Sequence, residues 1–374
     1  MKIVLFYHSL LSDWNHGNAH FLRGVARELG RRGHEVLVYE PLDNWSLRNL
    51  VEHHGLAPLR RFHDIYPDLH SRAYDPANLD LDSALADADL VIVHEWNSPE
   101  LVQRVGEARL RHGFALFFHD THHRLVTQPE AMRAYNLSHY DGVLAFGRVL
   151  RDLYLRERLA LRAFVWHEAA DTTVFYPRPF ATPQSDLVWV GNWGDEERSA
   201  ELHEFLLDPV RELSISATVH GVRYPPAALD ALAEAGADYR GWLPNFDAPE
   251  VFARHRVTVH VPRRPYVRAL PGIPTIRPFE AMACGIAMVS APWDDAEDLF
   301  TPGEDYLVAR DGDEMKAQLA RLLSDPDLRR RIADHALATV RARHTCAHRV
   351  DELLAIHRQV RAASAHTPVF AAAS

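Results

Sequence analysis

Only two cysteines, Cys284 and Cys346, occur in 374 residues, too few for a disulfide framework and in keeping with a reducing compartment. No apolar run reaches the roughly 18 residues of a membrane span. Met1-Lys2 leads straight into IVLFY without the charged and apolar zones of a signal peptide. A cytoplasmic protein is the expectation, with peripheral membrane contact compatible with it. Positive charge is in deficit: 41 Lys and Arg against 51 Asp and Glu leave a net charge of −10, which argues against a general binder of nucleic-acid backbones. A G-x-G-x-x-G fingerprint is missing, so an ordinary dinucleotide-binding domain has little support. H-E-x-x-H is missing too, and no short repeat recurs.

What is present is a globular composition, 47% apolar and 25% charged, in a chain long enough for two domains. Ile3 to Tyr7 is a β-prone run, followed by a polar stretch from His8 to Asn18. Phe21, Leu22, Val25, Ala26 and Leu29 then recur at helical spacing, and Gly33 ends the helix before a strand from Glu35 to Tyr39. The same alternation continues. Strands are expected at Asp89–His94, Ala115–Phe118, Gly142–Phe146 and Phe164–Glu168, with helices at Glu100–His112 and Arg148–Glu157. The irregular stretch from Trp45 to Asp82 holds one or two helices and is read as an acceptor-reading segment or a plain crossover. Proline and turn residues then run through Gln184. A second series follows, with strands at Leu187–Val190, Ile215–His220, Tyr239–Leu243, Val257–Val261 and Ile286–Ser290. The last helix spans His348 to Ala362, and residues after Ala363 are expected to fray.

The stretch GIPTIRPFEAMACGIAMVSAP, Gly272 to Pro292, carries the most chemistry. It reads as loop, a short helix from Phe279 to Cys284, a glycine turn at Gly285 and a buried strand. Glu280 is its one acid. A carboxylate near a helix start accepts two hydrogen bonds at once, as the vicinal hydroxyls of a ribose require, and the free amides beside it suit phosphate. The plainer reading is that Glu280 offsets the helix dipole.

FEAMACGIAMVSAP resembles the donor-binding segment of GT-B glycosyltransferases, especially the retaining family 4 and the CgeB-like spore-maturation enzymes. The Arg277-Pro278-Phe279-Glu280 run is closest to the CgeB pattern, while Gly272 stands where family 4 has the first of its two glutamates. RRGHEVLVY resembles the first crossover of these enzymes, and Asp171, Phe175 and Pro177 resemble their interdomain linker. The resemblance implies an α/β protein of two Rossmann-like domains facing across a cleft: 1–170 for the acceptor, 171–345 for the nucleotide-sugar donor, and 346–374 as a helix returning to the first domain with a frayed tail.

It also assigns roles. Glu280 would hold the ribose. Arg198, Arg263, Arg268 and Arg277 would neutralise the diphosphate, with Thr275, Ile276 and neighbouring loop amides beside it. Gly191 lies in the loop expected to receive phosphate, and Trp242 or Leu243 would pack on the base. His119 would contact the donor sugar, oriented by Asp120. The loop Asp13, His16, Gly17 and Asn18, with His94 at another strand end, would face the acceptor. His119, Asp120, His122 and His123 also suggest a metal, but their spacing is not that of a zinc site, so no metal and no cofactor are expected. The activity implied is retaining, metal-independent transfer of a hexose from a nucleoside diphosphate sugar, UDP-sugar by default, to a small molecule, glycan or protein. For an inverting enzyme Asp13, His16 or Asp120 would be the base. A nucleotide-sugar 2-epimerase and a non-catalytic nucleotide-sugar binder are the alternatives.

Overall fold

The computed structural model describes residues 1–178 and 182–365. Two parallel sheets organise the chain. The first contains β1 (Lys2–Phe6), β2 (Glu35–Pro41), β3 (Ser71–Tyr74), β4 (Leu90–His94), β5 (Ala115–Asp120), β6 (Gly142–Ala145) and β7 (Ala163–Val165) in the order β3-β2-β1-β4-β5-β6-β7. The second contains β8 (Ser185–Val190), β9 (Ala217–His220), β10 (Ala237–Gly241), β11 (His255–His260), β12 (Ala287–Ser290) and β13 (Leu307–Val308) in the order β10-β9-β8-β11-β12-β13. Every pairing recorded between these strands is parallel.

Helices cover both faces of each sheet, which is why the central strands read as continuous apolar runs. LVIVH of β4 and ALFFHD of β5 are buried throughout. The connecting helices carry local signals. Asn44 accepts a hydrogen bond from Leu47 N at 3.1 Å to cap helix Trp45–His54, and Ser98 caps Pro99–His112 in the same way. In each sheet the strand order reverses beside one strand, β1 in the first and β8 in the second. Crevices at the carboxyl ends of strands beside such points are where open α/β sheets bind ligands.

The expected strands are found with shifted bounds. β3 was not anticipated, because SRAY is short, has only one fully buried residue and lacks apolar alternation. The YRGWL strand lies two residues earlier than expected, so Trp242 and Leu243 leave the sheet. β7 stops at Val165, placing Glu168 in a loop. The helix expected from Phe279 begins at Ile276. Helix Cys346–Ala365 packs on helix Ala19–Arg31: Arg349 O accepts from the Trp166 indole at 2.8 Å, and Cys346 lies against Gly24. The tail expected to fray lies outside the described residues from 366 onward, as does the part of the linker at 179–181.

The halves meet in specific contacts. Asp13 accepts from Trp242 Nε1 and from Asn245 N, both at 3.1 Å. Asn15 bonds Asn192, Arg61 grips Asp247 in bidentate fashion, and Glu297 accepts from Arg148 N at 2.5 Å. A largely apolar cluster crosses the seam, bringing Phe21, Trp166 and Phe175 together with Phe279, Phe300 and Tyr306.

Candidate functional site

Between the two sheets' carboxyl ends lies a cavity of about 650 Å³. Of the expected residues, Asp13, His16, Gly17, Asn18, Gly191, Arg198, Trp242, Leu243, Arg263, Thr275, Ile276 and Arg277 line it. His94, His119, Asp120, Arg268 and Glu280 do not.

The donor-side wall is built from the ends of β8 and β11 and the start of helix Ile276–Ala283. Arg198 begins the segment after the glycine-rich loop and is buried against Trp189, its guanidinium 5.0 Å from that ring. It donates to Val261 O at 3.0 Å and Asn192 O at 2.5 Å, while its Nε has no partner among the described residues. Burial, then the nearby Arg263 charge, pull its pKa down to about 9. This is a fixed cation held by carbonyls and, among the described residues, in contact with no carboxylate, a group that gains when an anion arrives. Arg263 pairs with Glu197 at 2.9 Å. Burial tends to raise the Glu197 carboxyl, but His123 and Arg263 outweigh it and hold it at about 2. His123 Nε2 sits 3.3 Å from Glu197 across the seam, outside hydrogen-bonding geometry.

Thr275 precedes helix Ile276–Ala283 with φ 62° and ψ −175°, a region nearly reserved for glycine and costing about 1–3 kcal/mol where it persists. It turns the chain so that the opening amides of the helix, which lack intrahelical acceptors, begin at the cavity wall. Gly272 has φ +86°, and a Cβ there would lie 2.7 Å from Glu297 Cγ. A side chain at the position where the resemblance expects a glutamate would therefore have to displace Glu297 and adopt a strained backbone. The Glu297 carboxylate is turned toward Arg148 N and lies 3.1 Å from His167.

Several expected roles need correction. Glu280 is fully buried beneath Arg277, whose guanidinium donates to it, and His20 lies 3.6 Å away. Burial raises its pKa to about 7 against the opposing pull of Arg277. Arg277, rather than Glu280, reaches the wall. His119 is buried and hydrogen-bonded through Nδ1 to the Tyr7 hydroxyl at 2.6 Å, with burial lowering its pKa to about 3. Asp120 does not orient it: strand alternation turns the two apart, and Asp120 accepts from the Tyr154 hydroxyl at 2.7 Å and from His122 N at 3.1 Å. His94 stacks on Tyr7 and bonds Thr121 at 3.0 Å behind the wall. Asp13 is unsuited to be a base, because its oxygens serve Arg23 at 2.8 Å, Trp242 and Asn245. Arg268 is exposed away from the cleft. Among the described residues no group of three or more His, Cys, Asp or Glu is placed to hold a metal ion.

Sequence reasoning missed Glu168, which lines the cavity and accepts from Asn18 Nδ2 at 3.0 Å. Burial first, opposed by that hydrogen bond and reinforced by Glu280, raises its pKa to about 8, so it holds a proton near neutrality. Its signal was position, an acid just before the linker. Trp45, Trp96 and Asn192 were missed too, since single aromatic and amide residues in loops carry no pattern.

This architecture defines a class. The chain has the GT-B fold of glycosyltransferases, shared with sucrose-phosphate synthase from Thermosynechococcus elongatus (TM-score 0.67, 15% identity, 97% of this chain and 100% of that one). It is equally similar to Anabaena HepE in complex with UDP-glucose (0.65, 15%, 98% and 100%) and to a glycosyltransferase from Rickettsia africae (0.66, 11%, 96% and 98%). Within the chain, residues 198–355 match the family described as glycosyl transferase-like, a stretch that begins at Arg198 and takes in Arg263, Arg277 and Glu280. None of the curated proteins matches by sequence.

Proposed function

We propose that this protein transfers a sugar from a nucleoside diphosphate sugar, with a UDP-sugar as the first candidate, to an acceptor bound on the N-terminal wall. The observation that carries the reading is Arg198: a half-buried arginine with no carboxylate partner among the described residues, beside Arg263, Arg277 and the open end of helix Ile276–Ala283. The HepE structure was solved with UDP-glucose, which favours that donor as a starting point.

The reaction forms a bond from the acceptor oxygen to the anomeric carbon as the bond from that carbon to the diphosphate oxygen breaks. The electron pair leaves with the nucleoside diphosphate, and the acceptor's proton ends on the departing phosphate. Guanidinium groups and helix amides aimed at the leaving oxygens stabilise the charge as it develops, which supports a metal-independent transfer. Proton delivery to the leaving group on the same face goes with retention at the anomeric carbon. If the reaction inverts instead, His16 is the one expected base that both lines the cavity and keeps a free ring nitrogen. Glu280 acts first through Arg277, and direct contact with a ribose requires that pair to open. A binding protein without turnover is the second reading, favoured by the filled position at Gly272.

The test is thermal stabilisation of the purified protein by UDP, GDP, dTDP, ADP and CMP sugars, alone and as Glu280→Gln, followed by release of free nucleotide over time. Stabilisation by one nucleotide class with slow release of it supports transfer. Stabilisation with no release under any acceptor supports the binding protein, and stabilisation by none removes the donor site.

A further inference from the structure

Charge is divided unevenly between the two walls. Among the described residues lining the cavity, all the arginines, Arg198, Arg223, Arg263 and Arg277, come from the C-terminal half, and the N-terminal wall contributes neither Arg nor Lys. The acids on the N-terminal wall are Asp13, which is paired with Arg23, and Glu168, which holds its proton near neutrality. Arg124, the cation nearest Trp96 at 5.0 Å from its ring, lies behind the wall in a 2.8 Å pair with Glu95. An anionic group bound on this side would find no positive partner on the same wall, and Arg263, which faces His122 across the seam, is already paired with Glu197.

What this wall offers is a row of rings. His8 lies 4.6 Å from Trp45 and 6.4 Å from Trp96, and Trp96 lies 5.5 Å from His122. Trp45, Trp96, His16 and His122 line the cavity. His16 Nε2 and His122 Nδ1 are buried without a hydrogen-bond partner among the described residues. His16, only 5% exposed, is held neutral by burial and by His8 and Arg23. For His122, burial and then His123 lower the pKa to about 3. Neutral imidazoles give or take a hydrogen bond but do not offset an anion. Buried polar atoms left unpaired cost free energy until something satisfies them.

An apolar platform with neutral hydrogen-bonding nitrogens at its edge matches a pyranose, which has an apolar C–H face and a rim of hydroxyls. Resting on the glycosyl-transfer reading above, we propose that the acceptor is a neutral saccharide, seated on Trp45 and Trp96 with its hydroxyls at the free nitrogens of His16 and His122. The division of charge disfavours phosphorylated sugars and phosphate-bearing lipids.

Saturation-transfer NMR on the full chain, with and without UDP, tests this. The probes are methyl α-glucoside, maltose and lactose as neutral sugars, glucose 6-phosphate as an anion and 4-nitrophenol as a flat ring bearing a single hydroxyl. At least one neutral sugar is expected to bind and to lose tenfold or more in affinity in Trp96→Ala, with UDP affinity held within twofold. Trp96 is 39% exposed, so the variant keeps the fold, and circular dichroism confirms it. Tighter binding of glucose 6-phosphate, binding of 4-nitrophenol alone, no binding of any neutral sugar, or unchanged sugar affinity in Trp96→Ala each overturns the proposal. Sugar binding without UDP binding defeats the glycosyl-transfer reading while leaving the saccharide site standing.

Discussion

Arg198→Met separates a site built for an anion from an ordinary structural arginine. In the free protein burial of the guanidinium draws its pKa well below the ordinary arginine value, to about 9. Its hydrogen bonds to Val261 O and Asn192 O only partly offset that penalty. Methionine keeps much of the packing against Trp189 and removes the unpaired charge, so the free variant should melt at the wild-type temperature or above it. Its ligand response should collapse. Charge-assisted hydrogen bonds contribute about 1.5–3 kcal/mol, so losing contact with a diphosphate weakens UDP by roughly 10- to 150-fold. At a concentration 100 times its dissociation constant, UDP stabilises the wild type by about 2.7 kcal/mol. An unfolding entropy of about 2.1 cal/mol/K per residue gives ~0.8 kcal/mol/K for this chain if both halves melt together, hence a shift of about 3–4 °C. The same UDP concentration should move the variant by about 1.5 °C or less. Differential scanning fluorimetry reads both quantities. A variant that melts several degrees lower while binding UDP as the wild type does would refute the reasoning.

Glu168→Gln tests the buried acid. Its folded pKa of about 8 lies above the ordinary 4.5, so the folded state binds the extra proton and stability falls as pH rises from about 4.5 to 8. The variant, which retains an acceptor for Asn18, should lose that slope and exceed the wild type in urea melts at pH 8; an unchanged slope counts against the assignment. Thr275→Gly should relieve a strained turn worth about 1–3 kcal/mol, less roughly 0.5–1 for glycine's greater chain entropy. A midpoint in urea at or above wild type is expected, and a loss above about 1 kcal/mol would show that the turn is unstrained. Asp13→Ala strands the buried Arg23 cation and removes two contacts across the seam, so denaturation should show a loss of about 3–5 kcal/mol. A loss under 1 kcal/mol would mean that Arg23 finds another partner.

The alternation of apolar runs with helical periodicity was enough to lay out two α/β halves, because central parallel strands are buried on both faces and leave continuous Val, Ile, Leu and Phe runs such as LVIVH. The donor segment was legible for a related reason. Its chemistry is local: a turn, a helix start and the cations beside it fall within one short stretch, and Thr275, Ile276 and Arg277 do line the cavity. Exposure at strand ends was not legible. His119 and Asp120 look alike as cleft residues in sequence, yet helix Ala19–Arg31 and Trp166 on one side and Tyr154 on the other bury both. Of Glu280 and Arg277, three residues apart on one helix and both expected at the cleft, only Arg277 lines the cavity, because the carboxylate points inward and takes the guanidinium as its cap. Glu168 and the Trp45–Trp96 wall depend on loops from separate crossovers meeting across the cleft, a long-range arrangement that no local spacing encodes. Sequence therefore determined the elements and the loop-to-helix stretch around Thr275–Arg277 that lines the cavity, which rest on neighbouring residues. Only the tertiary structure decided which polar groups face the cavity, because that depends on which buried partners each one finds.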